Sequence, residues 1–323
     1  MSEISIPDTV YDVLIIGGGP AGYTAGLYAA RANLKALLIE GASTVSQITV
    51  TDWIENYPGI PEGASGFEIV EKFRKQAVQF GLQVSQADCS SVEPMEWNGI
   101  RGWAVRSGEK SFEALALVVA TGAHWRKLDV PGEETYTGRG VSYCATCDNH
   151  FPVPVKGSVT GGADTAVQEA LFLTRFASKV TIVHRRDRLR AAAILQQRAL
   201  DSGKIAFAWN AVVEEVTGGE AVTGVRLRDV RDAGKNWDLP AAGVFVFIGL
   251  IPNSDLVAGQ ADLADDGAIL VDHQMRTSAP GIFACGDCTR KLLRQVVTAC
   301  GDGATAAYAA QLYVEELKGN PYG

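Results

Sequence analysis

Short apolar runs punctuate this chain, and two of them lead into the same arrangement. Residues 10–16 (VYDVLII) predict a buried strand. The turn Gly17-Gly18-Gly19-Pro20-Ala21-Gly22 follows, then an alanine-rich helical segment to Arg31 and a second strand, 36–39, ending at Glu40. The arrangement recurs further on. Strand 155–160 leads into Gly161-Gly162-Ala163-Asp164-Thr165-Ala166, a helix-like stretch 167–176 and a strand 179–183. That second strand ends at His184-Arg185-Arg186-Asp187-Arg188-Leu189-Arg190. Further strands are predicted at 114–122, 242–249 and 281–287, and a helix of small residues from 294 to about 318.

Strand, glycine turn, helix, strand and distal acid make a dinucleotide-binding unit. The first glycine makes the tight turn, the second lets backbone N–H groups reach a pyrophosphate, and the third lets helix and strand pack closely. Glu40 lies 23 residues after Gly17, where a carboxylate binds the ribose hydroxyls of FAD or NAD. In the second copy His184 stands 23 residues after Gly161, and the acid has become a basic cluster. Guanidinium groups bind a 2′-phosphate that a carboxylate would repel, so this copy reads as an NADPH site. The order of elements predicts an α/β protein of two Rossmann-like domains, three-layer ββα in type, one inserted in the other. Residues 1–121 and 250–323 form the first, and 122–249 the second.

The 323 residues are 47% hydrophobic and 20% charged, enough for a large core. A net charge of −8 argues against nucleic acid as a partner. No apolar run reaches membrane-spanning length, and residues 1–8 lack the parts of a signal peptide. A cytoplasmic protein is expected, with its six cysteines mostly reduced. Cys144-Ala145-Thr146-Cys147-Asp148 places two thiols and a carboxylate together. On spacing alone this is a redox pair or half a zinc site. Cys285-Gly286-Asp287-Cys288 repeats the spacing inside a strand-end segment and reads as packing thiols.

Taken together, these segments resemble the low-molecular-weight, bacterial-type thioredoxin reductases. The resemblance rests on GGGPAG at 17–22, QITVT with IENYPG at 47–59, ATGA at 120–123 and PGE at 131–133. GRGVSYCATCD at 138–148, HRRDRLRA at 184–191, FIGLIPN at 247–253, GIFACGD at 281–287 and RQVVTACGDG at 294–303 complete it. It implies a homodimeric FAD enzyme that passes electrons from NADPH through FAD to a Cys144–Cys147 disulfide, and on to thioredoxin or a thioredoxin-like protein. Cys147 would face the flavin, Cys144 would exchange with the partner disulfide, and Asp148 would shuttle the proton. FAD would be held by Gly17, Gly19, Pro20, Ala21, Gly22, Glu40, Gln47, Asn56, Thr121, Gly122, Asp287, Arg294, Gln295 and Val296. NADPH would be held by Gly161, Gly162, Asp164, Thr165, His184, Arg185, Arg186 and Arg190.

Three departures bear on the donor and on the flavin turn. Ala163 replaces the family's middle glycine, and its methyl points where a pyrophosphate approaches. Val45-Ser46 replaces a glycine pair before Gln47. Asn149-His150 follows the cysteine pair where the family has glycine and aromatics. Ala163 and Val45-Ser46 leave open a reductase of this kind that does not use NADPH: ferredoxin-linked, carrying a second flavin, or running from dithiol to flavin. A redox-inactive FAD protein whose cysteines bind metal is the further alternative.

Overall fold

The computed structural model describes residues 6–43, 46–51, 54, 56–143 and 156–319, so Cys144, Cys147, Asp148 and His150 lie outside the described residues. The chain divides into two compact units, one of Met1–His124 with Ile251–Gly323 and one of Trp125–Leu250.

In the first unit the apolar run becomes strand Tyr11–Ile16, with Ala36–Glu40 and Gln83–Gln86 parallel on one side. Lys110–Val119 lies parallel on the other side, and Ile282–Ala284 pairs with its C-terminal half. The sheet continues into the antiparallel strands Ile100–Ser107 and Ser91–Trp97. Alternation across the pleat supplies two cores. Val13, Ile15, Leu38 and Val118 pack against helices Pro20–Arg31, Gly66–Gln79 and Val296–Leu317. Leu14, Ile16, Leu37, Ile39, Leu117 and Val119 pack the opposite way, under Val92, Val105, Val257 and Ile269. Burial on both faces explains why these strands read as unbroken apolar runs. Helix Gly66–Gln79 starts on a reciprocal cap between Ser65 and Glu68, each backbone N–H bonded to the other's side chain at 3.2 Å.

The second unit repeats this plan with a parallel sheet ordered Ile205–Trp209, Lys179–His184, Lys156–Gly161, Gly243–Phe247 and Val141–Ser142. Val159, Ile182 and Phe245 face helices Asp164–Leu173 and Ala193–Asp201. Val183, Val244 and Val246 face an antiparallel meander, Ala211–Gly218, Val222–Asp229 and Asn236–Pro240. Helices, parallel sheet and meander form three layers.

Most predicted elements lie within a few residues of where the apolar pattern puts them. The long helix begins at Val296, not Arg294, because Arg294 and Gln295 are spent outside it. Gln295 is its extended N-cap, and its side chain and that of Thr298 cap each other's backbone. The helix after the second turn stops at Leu173, short of 176, in tightening turns closed by Arg175 N–H to Phe172 O and Phe176 N–H to Leu173 O.

A candidate dinucleotide site in each unit and a cysteine pair beyond them

The first glycine turn is held by contacts that no side chain could share. Gly17 has φ +118°, and a Cβ there would lie 2.2 Å from Ala120 O. A Cβ on Gly22 would lie 1.8 Å from Gly17 O, so helix and strand meet backbone to backbone. Gly22→Ala is therefore expected to destabilise this unit by about 1–3 kcal/mol through overpacking. Thermal unfolding followed by circular dichroism should show the drop. Gly19 differs: its φ of −92° and ψ of −172° suit any residue, and it caps the helix with no side-chain bond. The free N–H groups of that helix end remain for an anion.

Around this turn the structure gathers most of the residues expected to hold FAD. Glu40, at the end of its strand, accepts a hydrogen bond from the buried hydroxyl of Tyr23 and lies against Gly18. Burial, then Glu40, pushes the Tyr23 hydroxyl's pKa well up, so it stays a donor and fixes that carboxylate. Ala21 touches two later segments: Gly286 would place a Cβ 2.9 Å from Ala21 Cβ, and Gly303 one 2.2 Å from Ala21 O. Asp287 and the N-terminal half of helix Val296–Leu317 are thereby brought beside the first turn. Arg294 Nε donates to Asp287 O at 3.3 Å, and Asn56 Nδ2 to Gln295 Oε1 at 2.8 Å. Gln47 donates to Ala123 O. Thr121 and Gly122 are tied to Asn253, whose Nδ2 reaches Thr121 O at 2.9 Å and whose N–H reaches Gly122 O at 2.9 Å. Asp287 Oδ1 is buried with no hydrogen-bond partner among the described residues. Burial pushes that carboxyl's pKa up, against the opposing pull of Lys291 and Arg294. A buried polar atom left without a partner is costly unless a bound group supplies one. These residues fit a flavin dinucleotide.

In the second unit the turn is rebuilt on the same plan. Gly161 has φ +151°, and a Cβ there would lie 2.4 Å from Phe247 O. A Cβ on Gly162 would lie 2.5 Å from His184 Nδ1, as one on Gly18 would lie 2.7 Å from Glu40 Cγ. His184 thus takes the place of Glu40. Ala163 caps its helix at φ −93° and ψ −178°, the backbone of Gly19. Its methyl is exposed, so the substitution distorts nothing in the fold. Asp164 Oδ1 accepts from Ala192 N at 2.6 Å, and Arg190 N donates to Gly162 O at 2.6 Å. These bonds lay the 184–192 loop beside the turn. Thr165 and the side chains of Arg185, Arg186 and Arg190 are exposed. His184 is buried, and its Nε2 has no partner among the described residues. Burial, then Arg185 and Arg186, lowers its pKa and favours the neutral ring. Exposed guanidinium groups beside an open helix end fit a phosphorylated dinucleotide.

Cys285 and Cys288 are free and fully buried, and they belong to opposite cores of the first unit. Cys288 Sγ donates to Cys285 O at 3.3 Å. Burial raises both thiols' pKa values, which keeps them protonated and unreactive. Among the described residues no cluster of His, Cys, Asp or Glu could hold a metal ion. No helix among them is long and apolar enough to cross a membrane.

Three supporting residues carry little signal in the sequence. Tyr23 looked like one more residue of an alanine-rich helix, though it stands four residues after a turn glycine and so faces the strand end. Asn253 and Glu133 lay inside recognised segments without an assigned task. Only the fold shows that Asn253 ties down residues 121–122 and that Glu133 is buried.

The profile of the pyridine nucleotide-disulphide oxidoreductase family matches residues 11–303. The thioredoxin reductase of Listeria monocytogenes is 46% identical over 312 residues, covering 96% of either chain. That of Bacillus subtilis is 44% identical over 312 residues, 96% of this chain and 97% of that one. The crystal structure of Lactococcus lactis thioredoxin reductase superposes with a TM-score of 0.90 at 41% identity, covering 95% of this chain and 99% of that one. The chain therefore belongs to the pyridine nucleotide-disulphide oxidoreductases and, among them, to the low-molecular-weight thioredoxin reductases, and it is a flavoprotein disulfide oxidoreductase.

Proposed function

We propose that this chain is an NADPH-dependent, FAD-containing reductase of thioredoxin or a thioredoxin-like protein. The observation that carries the donor is the matched pair of turns, Glu40 on Gly18 in one and His184 on Gly162 in the other, with Arg185 and Arg186 beside the second. We assign FAD to a discontinuous domain, residues 1–121 and 250–323, and NADPH to residues 122–249, which also carry the cysteine pair. Bound FAD supplies a carrier that takes a hydride from nicotinamide and yields two electrons to a disulfide.

The protein's own part is positioning and proton handling. Glu40, oriented by Tyr23, would hold the ribose of FAD, the helix ends at Gly19 and Val296 would face its phosphates, and Asp287 Oδ1 would accept from its polyol. Cys147 would receive the electron pair and open the Cys144–Cys147 disulfide. The Cys144 thiolate would then attack the substrate disulfide, forming a mixed disulfide and expelling one substrate thiolate. Cys147 would attack Cys144 in turn, releasing the substrate dithiol and closing the enzyme disulfide, with Asp148 moving the proton. A homodimer is supported by the exposed Tyr28, Phe67, Val78 and Tyr308 on the helical layer of the first unit. The four free cysteines among the described residues suit a reducing compartment such as the cytoplasm.

Anaerobic titration tests the donor. NADPH is expected to bleach the flavin absorbance, with two two-electron equivalents taken up in all, one by FAD and one by the Cys144–Cys147 disulfide, and NADH to do so far less readily. Bleaching by dithiothreitol but not by NADPH would give the function instead to a reductase with another electron source.

A further inference from the structure

The second unit contains a buried carboxylate that neither dinucleotide turn uses. Glu133 is 3% exposed. Its Oε1 accepts from Leu128 N at 2.8 Å and from the Tyr143 hydroxyl at 2.7 Å, and its Oε2 accepts from Asp129 N at 2.7 Å. A carboxylate out of water is tolerated when its lone pairs are met, and two backbone amides and a phenol meet them here.

The approach to Glu133 is built with care. Asp129 has φ +57° and Gly132 φ +85°. A Cβ on Gly132 would lie 2.0 Å from Val216 O, so the turn presses directly on the meander strand. Glu133 opens a short helix, and the Thr137 hydroxyl returns to Glu133 O at 2.9 Å. The chain then enters the sheet for two residues, Val141 opposite Val244 and Ser142 opposite Phe245. Tyr143 follows, partly buried against the meander-side core, as Leu128 and Val130 are. The next residue in the sequence is Cys144. Sheet pairings at Val141 and Ser142 and the phenol–carboxylate bond of Tyr143 thus attach the chain just before the cysteine pair.

We propose that Glu133 and Tyr143 form a positioning pair, which fixes the point from which Cys144-Ala145-Thr146-Cys147 starts. The proposal rests on the reading of Cys144 and Cys147 as the redox disulfide. Exchange between thiol and flavin depends on atoms held near attack distance, and a misplacement of about 1 Å in such a system costs up to roughly a hundredfold in rate. The pair touches neither glycine turn. Loosening it should therefore slow electron transfer through the cysteines and spare the NADPH-to-flavin step.

Tyr143→Phe is the test, since it removes one oxygen and keeps the packed ring. The probe is the rate at which dithiothreitol bleaches the flavin of the holoenzyme under anaerobic conditions, because that route must pass through the cysteines. This rate is expected to fall about tenfold, with flavin content unchanged and the rate of bleaching by NADPH within about twofold of wild type. Glu133→Gln, which leaves one backbone amide without an acceptor, is expected to give the same split. Should Glu133→Gln fail to fold, Tyr143→Phe alone decides. Wild-type rates in both assays for Tyr143→Phe, or equal losses in both, would overturn the positioning role while leaving the cysteine assignment standing. A wild-type flavin that dithiothreitol cannot bleach would overturn both.

Discussion

Serine at Cys147 is expected to lower turnover of a protein disulfide by roughly a thousandfold or more, as loss of a covalent catalyst does. NADPH should still bleach the flavin, since neither glycine turn includes either cysteine. Serine at Cys144 should stop turnover equally, and a trapping experiment separates the two. In Cys147→Ser the remaining thiol, Cys144, can attack a thioredoxin carrying a single cysteine activated as an aryl mixed disulfide. It then has no neighbour to release it, so a covalent complex should accumulate on a non-reducing gel. In Cys144→Ser the remaining thiol is the one assigned to the flavin, and little complex should form. The opposite pattern would exchange the two roles. Equal trapping by both would mean that the assignment of one thiol to each partner is wrong. Cys285 and Cys288 offer no substitute in either variant, being buried in separate cores with their pKa values raised by burial.

What the sequence made legible was whatever depends on backbone contact. Gly17 and Gly22 had to be glycine because carbonyl oxygens stand where their Cβ atoms would be, and that necessity shows as a letter at fixed spacing. The strands of both units were visible because burial on both faces leaves mostly apolar residues in the run, with the few polar ones, such as Asp12 and Thr181, buried among them. The meander over residues 211–240 was not, since a sheet solvated on one side mixes polar and apolar residues. Glu133 was hidden for a related reason. A glutamate is ordinarily an exposed residue, and only the turn around Asp129 and Gly132 makes this one a buried acceptor.

Ala163 shows how a departure from a motif is weighed by geometry. A methyl at the second motif position looks like an obstruction when the motif is read as three required glycines. The backbone there is extended, within a few degrees of that at Gly19, and the methyl is exposed. The first and third positions have steric reasons within the fold. The middle one, exposed at Ala163, has no such reason in the second unit beyond how closely a pyrophosphate comes, so its cost there falls on the cofactor.

The strongest statement these two turns make concerns donor selection. Removing Arg185 and Arg186 together, as R185A/R186A, is expected to lower kcat/KM for NADPH about a hundredfold and to leave that for NADH within a few-fold. A charge-assisted hydrogen bond contributes about 1.5–3 kcal/mol. Both arginines are exposed, so solvent screening reduces the pair's joint contribution to about 2.7 kcal/mol, or a factor of about a hundred. Electrostatic origin carries its own signature: KM for NADPH should climb with ionic strength in the wild type and flatten in the variant. Adding His184→Glu should carry the change further. A side chain at 184 already lies on Gly162 as Glu40 lies on Gly18, so a glutamate there has a backbone made for it and a ribose to bind. H184E/R185A/R186A is therefore expected to prefer NADH, as the first turn's own chemistry would. If the triple variant lost both donors alike, the loop would be acting as a scaffold for the turn and not as its phosphate sensor. Steady-state kinetics with both nucleotides, at low and high salt, decide between the two.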